Sequence, residues 1–125
     1  MRATAPGTIL DASALTALPR SIYAQTIVEF SLRERRPLVV SATSLYVAAL
    51  AGVDPADFDA FGWTVTPVSQ SVVPGLVAVA ESASGPVALD IAHVGWESQV
   101  TGYPVLTDNP GPYAALSVPV DLEII

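Results

Sequence analysis

The sequence predicts an α/β fold: a three-layer sandwich in which a mostly parallel central sheet carries helices on both faces. The main observation is an alternation along the chain. Short apolar runs rich in β-branched residues are separated by longer stretches whose apolar residues recur at helical spacing. The second observation is the length of 125 residues, which suits one core, so residues 1–125 are expected to form a single domain.

The first half of the chain predicts three strands. TILDA is the first, followed by a short helix and then by a helix over residues 21–36, which Pro37 ends. PLVVS is typical of a buried parallel strand, and ATSLYVAALAG of a helix ending at Gly52. In DPADFDAFG, Asp54 is expected to cap a short helix that precedes the third strand, WTVTPVS.

The second half continues the alternation. SVVPGLVAVAESAS predicts a weaker helix kinked near Pro74 and Gly75, and GPVALDIAHVGWESQVTG predicts a stronger helix ending at Gly102. YPVLTD is the fourth predicted strand, and NPGPYAAL a loop with a short helical turn. SVPVDLEII alternates like an edge strand. The apolar face of that strand would consist of Val118, Val120, Leu122 and Ile124.

Composition excludes several kinds of site. The chain has no cysteine, which rules out disulfides, thiolate zinc sites and a cysteine nucleophile. The first residues, MRATAPG, lack the apolar core of a signal peptide, and the apolar run VVPGLVAVA is too short to cross a membrane. We therefore expect a soluble, cytoplasmic protein.

Charge limits which polyanions the protein can bind. Twelve acidic residues against five basic ones, all arginine, give a net charge of −7, which repels nucleic acid unless the cations cluster. Three arginines do cluster in RERRP: Arg33, Arg35 and Arg36. They form either a phosphate-facing patch or, as the favoured interpretation, a solvated helix end stabilised by the helix dipole.

Three aspartates are predicted to share one rim of the sheet. Asp11 and Asp108 end the strands TILDA and YPVLTD, and ligands of open α/β sheets bind beyond the carboxyl ends of the strands. Asp90 opens a late helix, where the dipole favours an anion and the same rim is within reach. Converging carboxylates repel each other unless a cation neutralises them, and oxygen ligands suit Mg²⁺ or Mn²⁺.

These motifs, taken together, resemble the PIN domain. They are an apolar strand ending in Asp11-Ala12-Ser13, an aspartate opening a late helix at Asp90, and a strand closing in Thr107-Asp108 before Asn109-Pro110 and an aromatic, Tyr113. The resemblance covers nearly the whole chain. It implies a Mg²⁺- or Mn²⁺-dependent ribonuclease similar to VapC-like toxins, often homodimeric and often neutralised by a small antitoxin. Asp11, Asp90 and Asp108 would be its catalytic and metal-binding residues, supported by Ser13 and Thr107.

One family residue is missing. The family pattern places a glutamate in the helix after the second strand, where this chain has Tyr46 or Val47 and no acid nearby. Two hypotheses therefore stand. Either three aspartates suffice for a metal-dependent nuclease, which is the slightly favoured hypothesis, or the chain is a catalytically impaired PIN-like module that binds RNA or a protein.

Other polar and aromatic residues have structural interpretations. Without a positioned base, Ser13 is expected to cap the helix after Asp11 or to hydrogen-bond a metal-bound water. His93 is near enough to join a site at Asp90, although a solvent-facing or capping role is favoured, and Glu97 lies too far along the helix to share an ion with Asp90. Trp63 and Trp96 are read as core aromatics rather than base-stacking residues.

Overall fold

The computed structural model of the chain describes residues 5–125 and shows a five-stranded parallel sheet with the strand order β3-β2-β1-β4-β5. The strands are β1 (Thr8–Leu10), β2 (Leu38–Ser41), β3 (Trp63–Thr66), β4 (Val105–Thr107) and β5 (Leu122–Ile124). The helices are α1 (Ala12–Ala17), α2 (Ile22–Arg33), α3 (Ala42–Leu50), α4 (Val73–Ser82) and α5 (Leu89–Thr101). The predicted α/β class is confirmed.

The two faces of the sheet are covered by different helices. On one face, Leu10, Val40 and Leu106 pack against α1, α2 and α3. On the other face, Ile9 and Val105 pack against Val94 of α5 and the ring of Tyr113. Because side chains alternate along each strand, coverage of both faces explains why the three central strands, β1, β2 and β4, are buried along their whole length and do not alternate between apolar and charged residues.

Several helix ends lie where the sequence places them. Asp54 caps a 3₁₀ turn over Pro55–Phe58 and accepts a hydrogen bond from the backbone N–H of Ala56 at 3.0 Å. Gly102 ends α5 in the left-handed region, with φ of 71°, a conformation that glycine adopts without steric cost. NPGPYAAL contains the expected short helical turn, a 3₁₀ turn over Gly111–Ala115.

Three local expectations are wrong. Pro74 lies in the first turn of α4, where its missing N–H needs no partner, so it begins the helix and the expected kink is absent. α2 ends at Arg33 rather than near Arg36, because Arg35 takes a left-handed conformation with φ of 55°. The edge strand is shorter than predicted, since Val118 and Val120 precede β5.

Among residues 5–125, none of the helices combines the length and the apolar character needed to cross a bilayer.

Candidate active site

A cleft of about 320 Å³ lies beyond the carboxyl ends of β1 and β4 and is lined by Asp11, Asp90 and Asp108. The three aspartates come from the end of β1, the first turn of α5 and the end of β4. The remaining lining side chains include Ser13, Thr16, Arg20, Val47 and Asn109. The fold therefore brings the three sequence-predicted acids to one surface depression.

Asp11 is the most deeply buried of the three, at 3% exposed. Its Oδ1 atom accepts hydrogen bonds from the backbone N–H of Ala14 at 2.9 Å and from the Ser13 hydroxyl at 2.7 Å. Its Oδ2 atom accepts one from the Tyr113 hydroxyl at 2.8 Å. A buried carboxylate is stable when it is hydrogen-bonded in this way, so protein donors alone account for an aspartate at the end of an apolar strand.

Asp11, and not Ser13, is the N-cap of α1, which corrects the expectation for Ser13. The Ser13 hydroxyl instead links two loops of the site. It donates to Asp11, lies 3.1 Å from Oγ1 of Thr107 and accepts a hydrogen bond from the backbone N–H of Asp108 at 2.9 Å. Thr107 in turn accepts from the backbone N–H of Asn109 at 3.0 Å. Both predicted supporting residues therefore contact the segments that carry Asp11 and Asp108.

Tyr113 was not predicted as a contact of the acids. Burial raises the pKa of its phenol above the usual range, and the Asp11 charge, the hydrogen bond to Asp11 and the Asp90 charge add to that increase. The phenol therefore remains protonated and acts as a donor to Asp11. Its place in NPGPYAAL, just after Asp108, was the only sequence signal for this role.

Asp90 is partly buried, and its carboxyl pKa is raised, mainly by that burial. Backbone N–H groups of Asp90 and Ile91 in the first turn of α5 lower the pKa, while the Asp11 charge raises it further. The helix start thus favours the anion, as expected, but burial outweighs it. Asp108 is exposed at the rim.

Tyr46 and Val47 of α3 are the two positions at which the PIN pattern would place a glutamate, and the structure distinguishes between them. Val47 lines the acidic cleft, whereas Tyr46 lies in an adjoining apolar groove of about 480 Å³. That groove shares Val47 and Asp90 with the cleft. Of these two positions only Val47 lines the acidic cleft, because adjacent helical positions point about 100° apart.

Arg20 is a cleft residue that the sequence did not indicate. It ends a 3₁₀ turn over Leu18–Arg20, and its Nη1 donates to the backbone oxygen of Thr16 at 3.1 Å. Within the described part of the chain its guanidinium forms no ion pair with the aspartates. A cation therefore stands at the margin of an otherwise acidic cleft.

His93 does not face solvent, contrary to the favoured interpretation. Its side chain is fully buried, and its Nδ1 lies 2.9 Å from Oγ1 of Thr43. Its Nε2 makes no hydrogen bond within residues 5–125, but it lies 3.6 Å from Oε1 of Glu97. Glu97 does not line the cleft, as expected, and neither residue belongs to the acidic site.

The pKa of Glu97 reflects this buried pair. Burial raises it, but the nearby His93 ring and Thr66 hydroxyl and the charge interaction with His93 outweigh burial, so the net pKa is lowered. His93 and Glu97 therefore connect α5 to α3 and β3. His93, considered from the sequence as a possible ligand beside Asp90, instead contributes to the packing of α5 on α3.

The remaining sequence candidates lie elsewhere. Arg35 and Arg36 line a second pocket, at the amino ends of β2 and β3. Both tryptophans are half-buried. Trp63 packs edge-on against Phe58 with ring centroids 4.9 Å apart, and Trp96 packs against Gly75 of α4.

The donors of the acidic cleft suit a hard cation coordinated mostly by water. No group of three or more His, Asp or Glu side chains within residues 5–125 is close enough to enclose a metal ion. Mg²⁺, however, is commonly held by only one or two carboxylates and keeps several waters. Asp11 and Asp90 interact electrostatically, and Asp108 stands exposed at the same cleft, so this set of oxygen donors fits Mg²⁺ or Mn²⁺.

The chain matches no protein-family model and no curated protein.

Proposed function

We propose that the acidic cleft is the active site of a cytoplasmic Mg²⁺- or Mn²⁺-dependent ribonuclease similar to the PIN domain. One observation carries the proposal: Asp11, Asp90 and Asp108, distant in sequence, line a single cleft at the carboxyl ends of the strands. Ligand sites of open α/β sheets form at this edge. Like charges gathered at one cleft are favourable when a cation binds between them.

Each residue of the cleft has a distinct role in this proposal. Asp11 and Asp90 would hold the cation, and the exposed Asp108 would orient the attacking water through its carboxylate. The bound ion would polarise the phosphodiester and lower the pKa of that water. Arg20, at the margin of the cleft, contacts a phosphate oxygen of the RNA and offsets its charge.

The hydrogen bonds around Asp11 hold the site in place. Tyr113 and the backbone N–H of Ala14 hold the Asp11 carboxylate fixed. Ser13 joins that carboxylate to the backbone of Asp108. Such supporting contacts fix the orientation of the side chains that bind a metal directly, and they reduce the reorganisation needed when a substrate binds.

The test is cleavage of single-stranded RNA in Mn²⁺ and in EDTA. Asp90→Asn and Asp108→Asn are better inactivating variants than Asp11→Ala, because Asp11 caps α1 and accepts three hydrogen bonds. We expect Mn²⁺-dependent cleavage that either variant reduces at least tenfold. Asp57→Asn, exposed in the 3₁₀ turn before β3, is the matched control. The proposal would be contradicted by cleavage that persists in EDTA, or by equal cleavage activity of Asp90→Asn, Asp108→Asn and the control Asp57→Asn.

A second function is supported by Val47. This apolar side chain stands in the cleft where the PIN-like pattern has a carboxylate, and the adjoining groove exposes Tyr46 and Leu89 at 66% and 58%. Exposed apolar surface of this kind is typical of interaction sites. The alternative is therefore a catalytically impaired module that binds a protein, such as an antitoxin, or a second copy of the chain. It would be favoured if folded protein shows neither cleavage nor stabilisation by Mn²⁺.

A further inference from the structure

A second pocket lies at the edge of the sheet opposite to the acidic cleft. It encloses about 360 Å³ at the amino ends of β2 and β3 and is lined by Arg35, Arg36, Phe61 and Trp63, among others. β2 has four residues, so at about 3.3 Å per residue the pocket and the cleft are separated by at least ~10 Å. A ligand in this pocket therefore leaves the acidic cleft accessible.

Positive charge is concentrated beside this pocket. Three of the five basic residues of the chain, Arg33, Arg35 and Arg36, lie within four positions at the end of α2, with the acidic Glu34 among them. Arg33 and Arg36 stack over the Phe30 ring at 5.8 and 5.1 Å, and Arg36 also donates to the backbone oxygen of Ala5. Arg35 is exposed, and its guanidinium makes no ion pair or hydrogen bond with residues 5–125. Arg36 is thus held in place by Phe30 and Ala5, whereas the guanidinium of Arg35 is available to a ligand.

Aromatic rings form the other wall. Phe61 is 89% exposed, far more than its burial tendency favours. Trp63 is half-buried and is held from behind by Phe58. Between them, Gly62 has φ of 95° and no side chain to narrow the pocket. Two aromatic side chains and the exposed Arg35 therefore line one opening, whereas the Arg36 guanidinium is engaged by Phe30 and Ala5.

We propose that this pocket binds one nucleotide of a single-stranded RNA. The base stacks on Phe61 or Trp63, and Arg35 binds its phosphate. Unpaired bases are commonly recognised by stacking on aromatic rings and guanidinium planes, with backbone phosphates held by basic groups. The site is independent of hydrolysis at the acidic cleft and persists if that cleft proves inactive.

The combination of groups favours a nucleotide over an acidic peptide. A peptide carboxylate would use the arginines but would leave the exposed Phe61 ring without a planar partner. Because only two arginines line the pocket, binding should release few counterions and depend only weakly on salt.

The fluorescence of Trp63 reports directly on binding, because Trp63 lines the pocket whereas Trp96 packs on α4. We would titrate the full-length protein in EDTA, which prevents metal-dependent cleavage, with adenosine monophosphate and with a short oligoadenylate. Tryptophan fluorescence should be quenched saturably by both probes. Trp63→Phe should abolish the quenching.

Two variants test the two halves of the pocket. Arg35→Gln and Phe61→Ala should each weaken binding of both probes about tenfold. Arg33→Gln removes the same charge from a residue that does not line the pocket, and it should leave binding of adenosine monophosphate unchanged. Quenching that is absent, or that neither variant weakens, would overturn the proposal. An acidic peptide that binds as tightly as the oligoadenylate would overturn it in favour of a peptide site.

Discussion

The Tyr113 hydroxyl donates a hydrogen bond of 2.8 Å to Oδ2 of Asp11, although the two residues are 102 positions apart in the sequence. This bond joins the 3₁₀ turn after β4 to the start of α1. It gives the buried Asp11 carboxylate a donor on the side that Ser13 and Ala14 do not reach.

Removing the Tyr113 hydroxyl should destabilise the protein. Tyr113→Phe keeps the buried ring but leaves the Asp11 carboxylate with one donor fewer, which typically costs about 1–3 kcal/mol of unfolding free energy. Urea unfolding at neutral pH measures this loss. Tyr46→Phe is the control, because Tyr46 is exposed and its hydroxyl makes no hydrogen bond within residues 5–125. Equal stability of the two variants would show that the bond contributes nothing.

Removing the charge of Asp90 should distinguish the effect of its repulsion by Asp11 on stability from the effect of metal binding. Since the Asp11 charge raises the pKa of Asp90, Asp90→Asn should raise the unfolding free energy in EDTA by about 0.5 kcal/mol. Mn²⁺ at about a hundredfold excess over its dissociation constant should stabilise the parent protein by about 2.7 kcal/mol, and this gain should be lost in the variant. Thermal unfolding with and without Mn²⁺ measures both effects. A parent protein that Mn²⁺ leaves unchanged would argue against a cation site.

Introducing an acid at Val47 tests whether a further carboxylate in the cleft strengthens metal binding. Val47→Glu places a carboxylate at the cleft, and the side chain is 39% exposed, so the change should be tolerated. We expect Mn²⁺ affinity to rise about tenfold, together with any Mn²⁺-dependent RNA cleavage. Tyr46→Glu adds the same charge one position away, outside the cleft, and should produce neither gain. Equal effects of the two variants would mean that general charge, and not a ligand position, is responsible.

The pair of Glu97 and His93 should make stability sensitive to acid. Because the pKa of Glu97 is lowered from its usual 4.5, its charged form stabilises the folded state above that pH, and this contribution is lost as the pH falls through the lowered value. Glu97→Gln should therefore be less stable than the parent protein near pH 6. The difference should disappear as the pH falls through the lowered pKa of Glu97 and its carboxylate is protonated in the folded protein. Glu81→Gln, exposed on α4, should follow the parent protein at every pH.

Packing of α4 on α5 depends on a glycine. A methyl group at Gly75 would overlap the indole of Trp96, so Gly75→Ala should reduce the unfolding free energy by about 1–3 kcal/mol despite its higher helix propensity. Gly85→Ala is the matched control, because no atom lies near its missing side chain. Denaturant midpoints compare the two. A stabilised Gly75→Ala variant would mean that the indole shifts without cost.

The sequence by itself determined the class of fold and the approximate position of each element. Apolar runs such as PLVVS, the cap at Asp54 and the helix end at Gly102 depend on backbone conformation and on spacing along the chain, which are local properties. The three aspartates could also be assigned to one edge of the sheet, because Asp11 and Asp108 follow strands and Asp90 begins a helix. Parallel strands place their carboxyl ends together whatever the details of packing.

Only the tertiary structure decided which side chains meet at the cleft. Burial of His93, the direction of Val47 rather than Tyr46, and the position of Arg20 follow from how α1, α3 and α5 pack on the sheet. A helical period fixes the angle between neighbouring side chains but not the rotation of the whole helix against its neighbours. Long-range contacts such as that between Tyr113 and Asp11 likewise arise from packing, which leaves no periodic signal in the sequence.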